Sequence, residues 1–315
     1  MSELLPMKTN PQRLFVLAAL SLSALTISTV PSQANEPYTR ASVDYFQGRE
    51  SIPLQVEPAP YSRPSGDNLG NFGAPIYQGT CPATLQPIVE RIIGKKSLGK
   101  WGILVETLEG RQVLYAHNEN RHFIPASNNK IFTTAAALQR LDPSASIRSK
   151  SLYDWVMVTN KRSDNGAADG LMRHLGGPGA VKATISQLGV NPNGFRIADG
   201  SGLSRANAAT PRALVDTLQA MYYTPAKDIF VTSLPVAGQN GTLRSRMRAT
   251  PAEGNVYAKT GTLNGVRALS GYLTNPTHGT LVFSILANDR SRSGTALVRA
   301  IDQLVVQLNM MGPCQ

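Results

Sequence analysis

The chain has 315 residues, 42% of them hydrophobic, and a formal net charge of +11. That is enough apolar material for one large domain or two smaller ones. The basic excess does not make a nucleic-acid surface. Its densest cluster, Arg244, Arg246 and Arg248, is short, and no binding motif accompanies it; the charge suits an exported protein working near anionic polymers or membranes.

Residues 1–34 read as an export signal. Lys8 and Arg13 give a basic start, Leu14 to Val30 is apolar and uncharged, and Ser32-Gln33-Ala34 offers small residues for cleavage. The alternative is an uncleaved membrane anchor, although the apolar core is short for a span of about 20 residues. Residues 35–80 are rich in Pro, Gly, Ser and Asn without a sustained period and read as a disordered linker. The folded domain is expected over 81–312. Its two cysteines, Cys81 and Cys314, lie near the ends of this region. An oxidising compartment permits a disulfide between them, which would close almost the whole domain; two free thiols are the alternative.

Within the domain, Leu85, Ile88, Val89, Ile92 and Ile93 form a helical stripe ending at Gly94. Trp101–Leu108 and Gln112–Tyr115 flank Glu109-Gly110 as a hairpin. A helix follows from Ser127 to Leu141. Further helices are expected over Ser151–Asn160, Ala167–Leu175 and Ala180–Leu188, then a short strand over Phe195–Ala198. Thr210 and Pro211 supply an N-cap and first residue for another helix. The glycine cluster Gly176-Gly177-Pro178-Gly179 lacks a phosphate-loop pattern and reads as a helix-ending turn. From Val256 the pattern turns to strands: Val256–Lys259, Val266–Leu273 and Thr280–Ala287. An amphipathic helix closes the chain over Ser293–Asn309. Strands at both ends and helices between predict an α+β fold. An antiparallel sheet would be built from 81–126 and 255–312, with a mostly helical subdomain over 127–254.

Three short motifs stand out in order. Ser127-Asn128-Asn129-Lys130 puts a hydroxyl and an amine three residues apart on one helix face. A lysine kept neutral by burial or a nearby cation can take the serine proton, so the pair makes a nucleophile without histidine. The spacing alone is weak: Ser97-Leu98-Gly99-Lys100 repeats it in what reads as a loop. Ser163-Asp164-Asn165 precedes a helix and could simply cap it. Lys259-Thr260-Gly261-Thr262 stands at a predicted strand end. The ordered set is the one found in penicillin-binding proteins and class A β-lactamases. His117, His122, His174 and His278 form no metal-ligand pattern.

The chain resembles the D-alanyl-D-alanine carboxypeptidases of the low-molecular-mass class C penicillin-binding proteins (peptidase family S13). Beyond the triplets, the similarity rests on Asp199-Gly200-Ser201-Gly202-Leu203-Ser204-Arg205, on Ser233–Gly238 with Gly241-Thr242-Leu243 and Arg246, and on Ala258–Tyr272. It covers roughly residues 82–310. Members of that family usually carry long inserted domains between the first two motifs, whereas here roughly thirty residues separate Lys130 from Ser163.

The resemblance implies a β-lactamase/transpeptidase-like fold and a periplasmic enzyme acting on peptidoglycan stem peptides and binding β-lactams. No cofactor, nucleic acid or stable membrane insertion after signal cleavage is implied. Ser127 would attack the carbonyl between two D-alanines to form an acyl-enzyme, with Lys130 as proton acceptor. Ser163 would relay the proton to the leaving amine, and Asn165 would bind the substrate amide or orient Lys130. Lys259 would help keep Lys130 neutral and attract the terminal carboxylate, which Thr260 could also bind. Gly261 and Thr262 complete the substrate-binding strand, the N–H groups of Ser127 and Thr262 forming the oxyanion hole. Asp199 and Arg205 would shape the site floor or simply hold a loop. Two other functions compete. A serine β-lactamase would need a deacylating Glu-x-x-Leu-Asn loop, which does not follow the second motif. A non-catalytic wall-binding protein on the same fold would not require the intact motif residues.

Overall fold

A computed structural model describes residues 80–314. The expected export signal, the possible anchor and nearly all of the expected linker lie outside them. The linker's last residue, Thr80, belongs to the fold. It is buried, accepts from the Gly312 N–H, and donates its hydroxyl to Gln307.

The sheet has five antiparallel strands. They are β1 (Trp101–Thr107), β2 (Val113–His117), β7 (Val256–Leu263), β8 (Val266–Asn275) and β9 (Gly279–Asn288), in the order β2-β1-β9-β8-β7. Ribbons β3/β4 (Ser146–Ile147 with Lys150–Ser151) and β5/β6 (Phe195–Arg196 with Ala208–Ala209) lie apart from it. The first hairpin and the last three strands thus close one sheet from the two ends of the domain. β8 and β9 pair over ten residues, Val266 with Asn288 through Asn275 with Gly279.

Alternation of side chains along the strands divides the core into two layers. Leu104, Ala268, Tyr272, Val282 and Leu286 join one apolar cluster with the central helices. Ile103, Val105, Leu269, Leu273, Phe283 and Ile285 join another on the opposite face. That second face is covered by α1 (Leu85–Ile93) and the closing helix α8 (Gly294–Asn309), the latter capped by the Ser293 side chain. The Cys81–Cys314 disulfide is formed, across a separation of 233 residues. Chain ends that would otherwise fray are therefore tied together beside α1 and α8.

On the other face lie α2 (Asn129–Arg140), α3 (Leu152–Lys161), α4 (Asn165–His174), α5 (Pro178–Gln187), α6 (Pro211–Tyr222) and α7 (Lys227–Ser233). α2 is the hub. Every residue from Asn129 to Leu138 is buried, so over that stretch the helix has no solvent face. Its polar side chains must find partners inside the protein. Thr133 donates to the Gly200 carbonyl, Thr134 to Lys130 O, and Asn129 to Asp199 O. Phe132 stacks on Phe195 at 4.8 Å.

The glycine cluster at 176–179 ends α4 as expected, with Gly176 and Gly177 at positive φ. Thr210 caps α6 through Ala213 N with Pro211 at its first turn. Two expectations are corrected, and one element went unmarked. Ser97–Lys100 is not a loop but part of a 3-10 helix, Lys95–Lys100. The strand expected over Val256–Lys259 runs to Leu263, because its pairing with β8 continues to the Asn264-Gly265 turn. The short helix α7 had no sequence signal strong enough to mark it.

Candidate active site

Ser127 sits in a 3-10 turn, Ala126–Asn128, that runs directly into α2. Ala126 has φ of +49°, and the turn is braced from behind by the loop after Asp199. Gly202 (φ +85°) packs so close that a Cβ there would lie 1.9 Å from the Ala126 carbonyl oxygen. Only glycine fits both the backbone angle and that approach. Asp199 holds the loop's shape by accepting from Gly202 N, Ser204 N and Asn207 Nδ2. Of its two expected roles, loop holding is the one its bonds display. Arg205 reaches the Asn264 carbonyl in the β7–β8 turn.

One helical turn on from Ser127, Lys130 is fully buried. Its Nζ lies 2.9 Å from Ser127 Oγ, 2.8 Å from Asn165 Oδ1 and 2.6 Å from Ser201 O. Burial lowers its pKa to about 8, against the opposing pull of Asp169, Asp199 and Asp164. The geometry suits a base. A neutral amine has two N–H groups and one lone pair. With Asn165 Oδ1 and Ser201 O taking the two hydrogens, the lone pair is left to face the Ser127 hydroxyl.

The second motif divides its labour. Asp164 caps α4 by accepting from Ala167 N, while Asn165 turns to Lys130. Ser163, at φ +58°, turns to Lys259, its Oγ 2.9 Å from Nζ. So Asp164 makes the cap, while its neighbours Asn165 and Ser163 bond the two buried lysines.

The third motif lies within β7, an edge strand of the sheet, rather than at a strand end. β7 packs against the Ser127 turn so tightly that a Cβ on Gly261 would sit 2.6 Å from the Pro125 carbonyl. Lys259 is fully buried and also donates to Thr260 O at 3.1 Å. Its pKa is pushed well below the usual lysine range, first by burial and then by repulsion from Lys130. Sequence reasoning gave Lys259 the task of keeping Lys130 neutral. In the structure burial is what lowers Lys130, and the repulsion is felt at Lys259, as a second cause after burial. The Thr260 hydroxyl meets that of Thr242 at 2.7 Å.

The structure thus gathers Ser127, Lys130, Ser163, Asn165, Lys259, Thr260 and Gly261 around one junction of turn, helix and edge strand, with Thr262 next along β7. Sequence reasoning missed the parts played by Ser201, Asp169 and Asn128. Ser201 acts through its backbone carbonyl. Asp169 accepts from Gly200 N and Ser201 N, each at 2.9 Å, fixing that carbonyl. Asn128 donates to Ser270, which bonds Ser284, anchoring the Ser127 turn to the sheet. Only the Asp199–Arg205 motif hinted at this support. Among the described residues no cluster of His, Cys, Asp and Glu could hold a metal ion.

A five-stranded antiparallel sheet with helices on both faces and this junction at its edge is the β-lactamase/transpeptidase-like fold. Penicillin binding protein 4 (dacB) of Haemophilus influenzae, solved with a novel β-lactam, superposes with a TM-score of 0.62 at 17% identity, covering 71% of this chain and 99% of that one. The TLA-3 extended-spectrum β-lactamase gives 0.62 at 20% identity, covering 72% and 98%. Residues 85–148 and 143–310 match the D-Ala-D-Ala carboxypeptidase 3 (S13) family, and the chain belongs to that family.

The D-alanyl-D-alanine carboxypeptidase of Actinomadura sp. (strain R39) is 34% identical over 247 residues, which is 73% of this chain and 44% of the relative. D-alanyl-D-alanine carboxypeptidase DacB of Haemophilus influenzae is 35% identical over 141 residues, 40% of this chain and 29% of the relative. The chain spans less than half the length of these curated relatives. Its two family-matching stretches meet at residues 143–148, where the chain makes only the short β3/β4 ribbon.

Proposed function

We propose that the protein is an exported, periplasmic serine D-alanyl-D-alanine carboxypeptidase acting on peptidoglycan stem peptides through an acyl-enzyme on Ser127. The observation that carries this is the enclosed Lys130 amine, 2.9 Å from Ser127 Oγ, with two neutral oxygens occupying its other bonding directions. Lys130 takes the Ser127 proton as Oγ attacks the carbonyl between the two D-alanines. The C–N bond then breaks, and the leaving amine receives a proton through Ser163. Lys259 and Thr260 hold the substrate's terminal carboxylate, and Asn165 holds its peptide amide. The backbone N–H groups of Ser127 and Thr262 stabilise the oxyanion. Water releases the peptide acid. An amine-bearing leaving group from a cross-linked peptide uses the same steps, giving endopeptidase activity. The domain boundaries fit this division of work: 81–126 with 255–312 supply the sheet, and 127–254 supply the nucleophile, its base and the second motif.

A β-lactam acylates the same serine. The ring-opened acyl-enzyme persists, because no second base is positioned by a Glu-x-x-Leu-Asn loop. The test is to incubate the mature protein side by side with a D-Ala-D-Ala pentapeptide, a cross-linked muropeptide and labelled penicillin. Release of D-alanine and a stable penicillin adduct at Ser127 are expected. Rapid penicillin hydrolysis would instead assign a β-lactamase. Release of D-alanine undiminished in Ser127→Ala would overturn the mechanism.

A further inference from the structure

We infer that Lys161 is a positioning residue: it clamps the segment bearing Ser163 to the strand bearing Lys259 and Thr260, acting through the loop Leu234–Leu243. The inference deepens the proposed function, and one of its tests does not depend on it.

Lys161 is the last residue of α3, two before Ser163. Its Nζ donates to Leu234 O at 2.6 Å and to Asn240 Oδ1 at 3.1 Å. The same Asn240 oxygen accepts from Val236 N at 3.0 Å, so the lysine binds a loop that this asparagine has already folded. The Lys161 backbone is seated there too. Gly241 (φ +57°) comes so near that a Cβ would lie 2.8 Å from the Lys161 carbonyl oxygen. Burial lowers the Lys161 pKa to about 8, and among the described residues no carboxylate pairs with it. An amine withdrawn from water to bind a carbonyl and a carboxamide costs desolvation, which an ordinary surface lysine avoids.

The far side of the loop is stitched to β7. Ala258 N donates to Pro235 O at 2.9 Å, and Ala237 N to Val256 O at 3.0 Å. Thr242 Oγ1 lies 2.7 Å from Thr260 Oγ1. From β7, Lys259 returns to Ser163 at 2.9 Å. The contacts therefore close a ring: Ser163, Lys259, β7, the loop, Lys161 and back to Ser163. Within it, Ser163 holds a positive φ that its surroundings must enforce. Among the described residues, Lys161 and Lys259 are the two amines that tie the ring. Both the Ser163–Lys259 contact and the aim of Thr260 at a substrate carboxylate depend on the ring staying closed.

The test uses Lys161→Met, which keeps the stem and removes the amine, together with Asn240→Ala and the double variant. Hydrogen exchange followed by mass spectrometry is read first. In Lys161→Met, amides at 162–164 and 234–243 should exchange faster, while α2 and the β8–β9 pair keep wild-type protection. With D-Ala-D-Ala pentapeptide, kcat/KM should fall about tenfold to a hundredfold, with a rise in KM. The double variant should lose little more than either single one. Unchanged exchange at 234–243, exchange raised uniformly across the domain, or additive losses in the double variant would each overturn the inference. If the wild type itself releases no D-alanine, the proposed function fails, and the exchange pattern still decides the role of Lys161.

Discussion

Ser97–Lys100 and Ser127–Lys130 share a spacing and reach different environments. Lys100 ends a 3-10 helix with its side chain 42% exposed, and its amine bonds Asp289 Oδ1 at 2.8 Å and Ser291 Oγ at 2.9 Å. It is half of an ion pair. Lys130 lies in a stretch of helix that has no solvent face, and its three partners are uncharged oxygens. Desolvation there works against the ammonium, bringing its pKa to about 8. Spacing is a local property that both stretches have. What suits one of them to the proposed roles of nucleophile and base is tertiary: burial, and acceptors that aim the amine.

The largest expected effect tests that difference directly. Lys130→Met should lower D-alanine release by at least about 10³-fold, the order expected for losing a general base that acts together with its nucleophile. Lys100→Met should leave the rate at the wild-type level. Release assays and intact-mass detection of a penicillin adduct read both variants. Similar losses in the two would erase the distinction between the stretches.

Next in size is Lys259→Met. Acylation needs Lys130 neutral, so the rate should rise with pH through a midpoint near 8. Burial and repulsion from Lys130 lower the Lys259 pKa, whereas burial is what lowers that of Lys130. With burial setting Lys130, the midpoint should stay near 8 when Lys259 is removed. Loss of the amine proposed to hold the substrate carboxylate should cost about 10–100-fold in kcat/KM. A midpoint that moves to higher pH would show that the Lys259 charge also helps to hold Lys130 neutral.

These two lysines mark how far the sequence could be read. The sheet strands, the capped α6 and α8, and the three motifs were legible because period, caps and short spacings are local signals. The family stretch around Asp199 was visible as a motif, but its work was not. Gly202 backing Ala126, and Ser201 offering a backbone oxygen to Lys130, are contacts across about 70 residues of sequence. Lys161 had no signal at all, because its partners are a carbonyl and an asparagine lying 73 and 79 residues away. Likewise α7 is only seven residues long, too short for a helical period to register.

Reducing the Cys81–Cys314 disulfide should affect stability without touching either lysine. The bridge lies at the edge of the α1–α8 layer, on the sheet face opposite α2. Loss of a cross-link of this kind should cost about 2–4 kcal/mol. Urea unfolding with and without reductant measures it. Acylation by penicillin below the unfolding transition should be unchanged, and a slower reaction there would mean that the back layer helps to set the Ser127 turn.

The smallest effect belongs to the ion pair of the decoy stretch. Burial alone would raise the Asp289 pKa, but hydrogen bonds from Lys100 and Ser291 and the Lys100 charge outweigh it and bring the carboxyl to about 2. A carboxyl depressed on folding contributes stability above its ordinary pKa, and that contribution fades as pH falls from about 4 to about 2. Lys100→Met removes one hydrogen bond and the cation, while Ser291 N and Oγ still hold Asp289 Oδ1. The loss at pH 7 should be about 1 kcal/mol or less, since the lysine is substantially solvent-screened. Urea unfolding of wild type and variant should show this gap at pH 7 and a smaller one near pH 2, where about half of the folded wild type has Asp289 protonated. A gap that persists undiminished in acid would mean that Lys100 contributes through packing of its stem rather than through its charge.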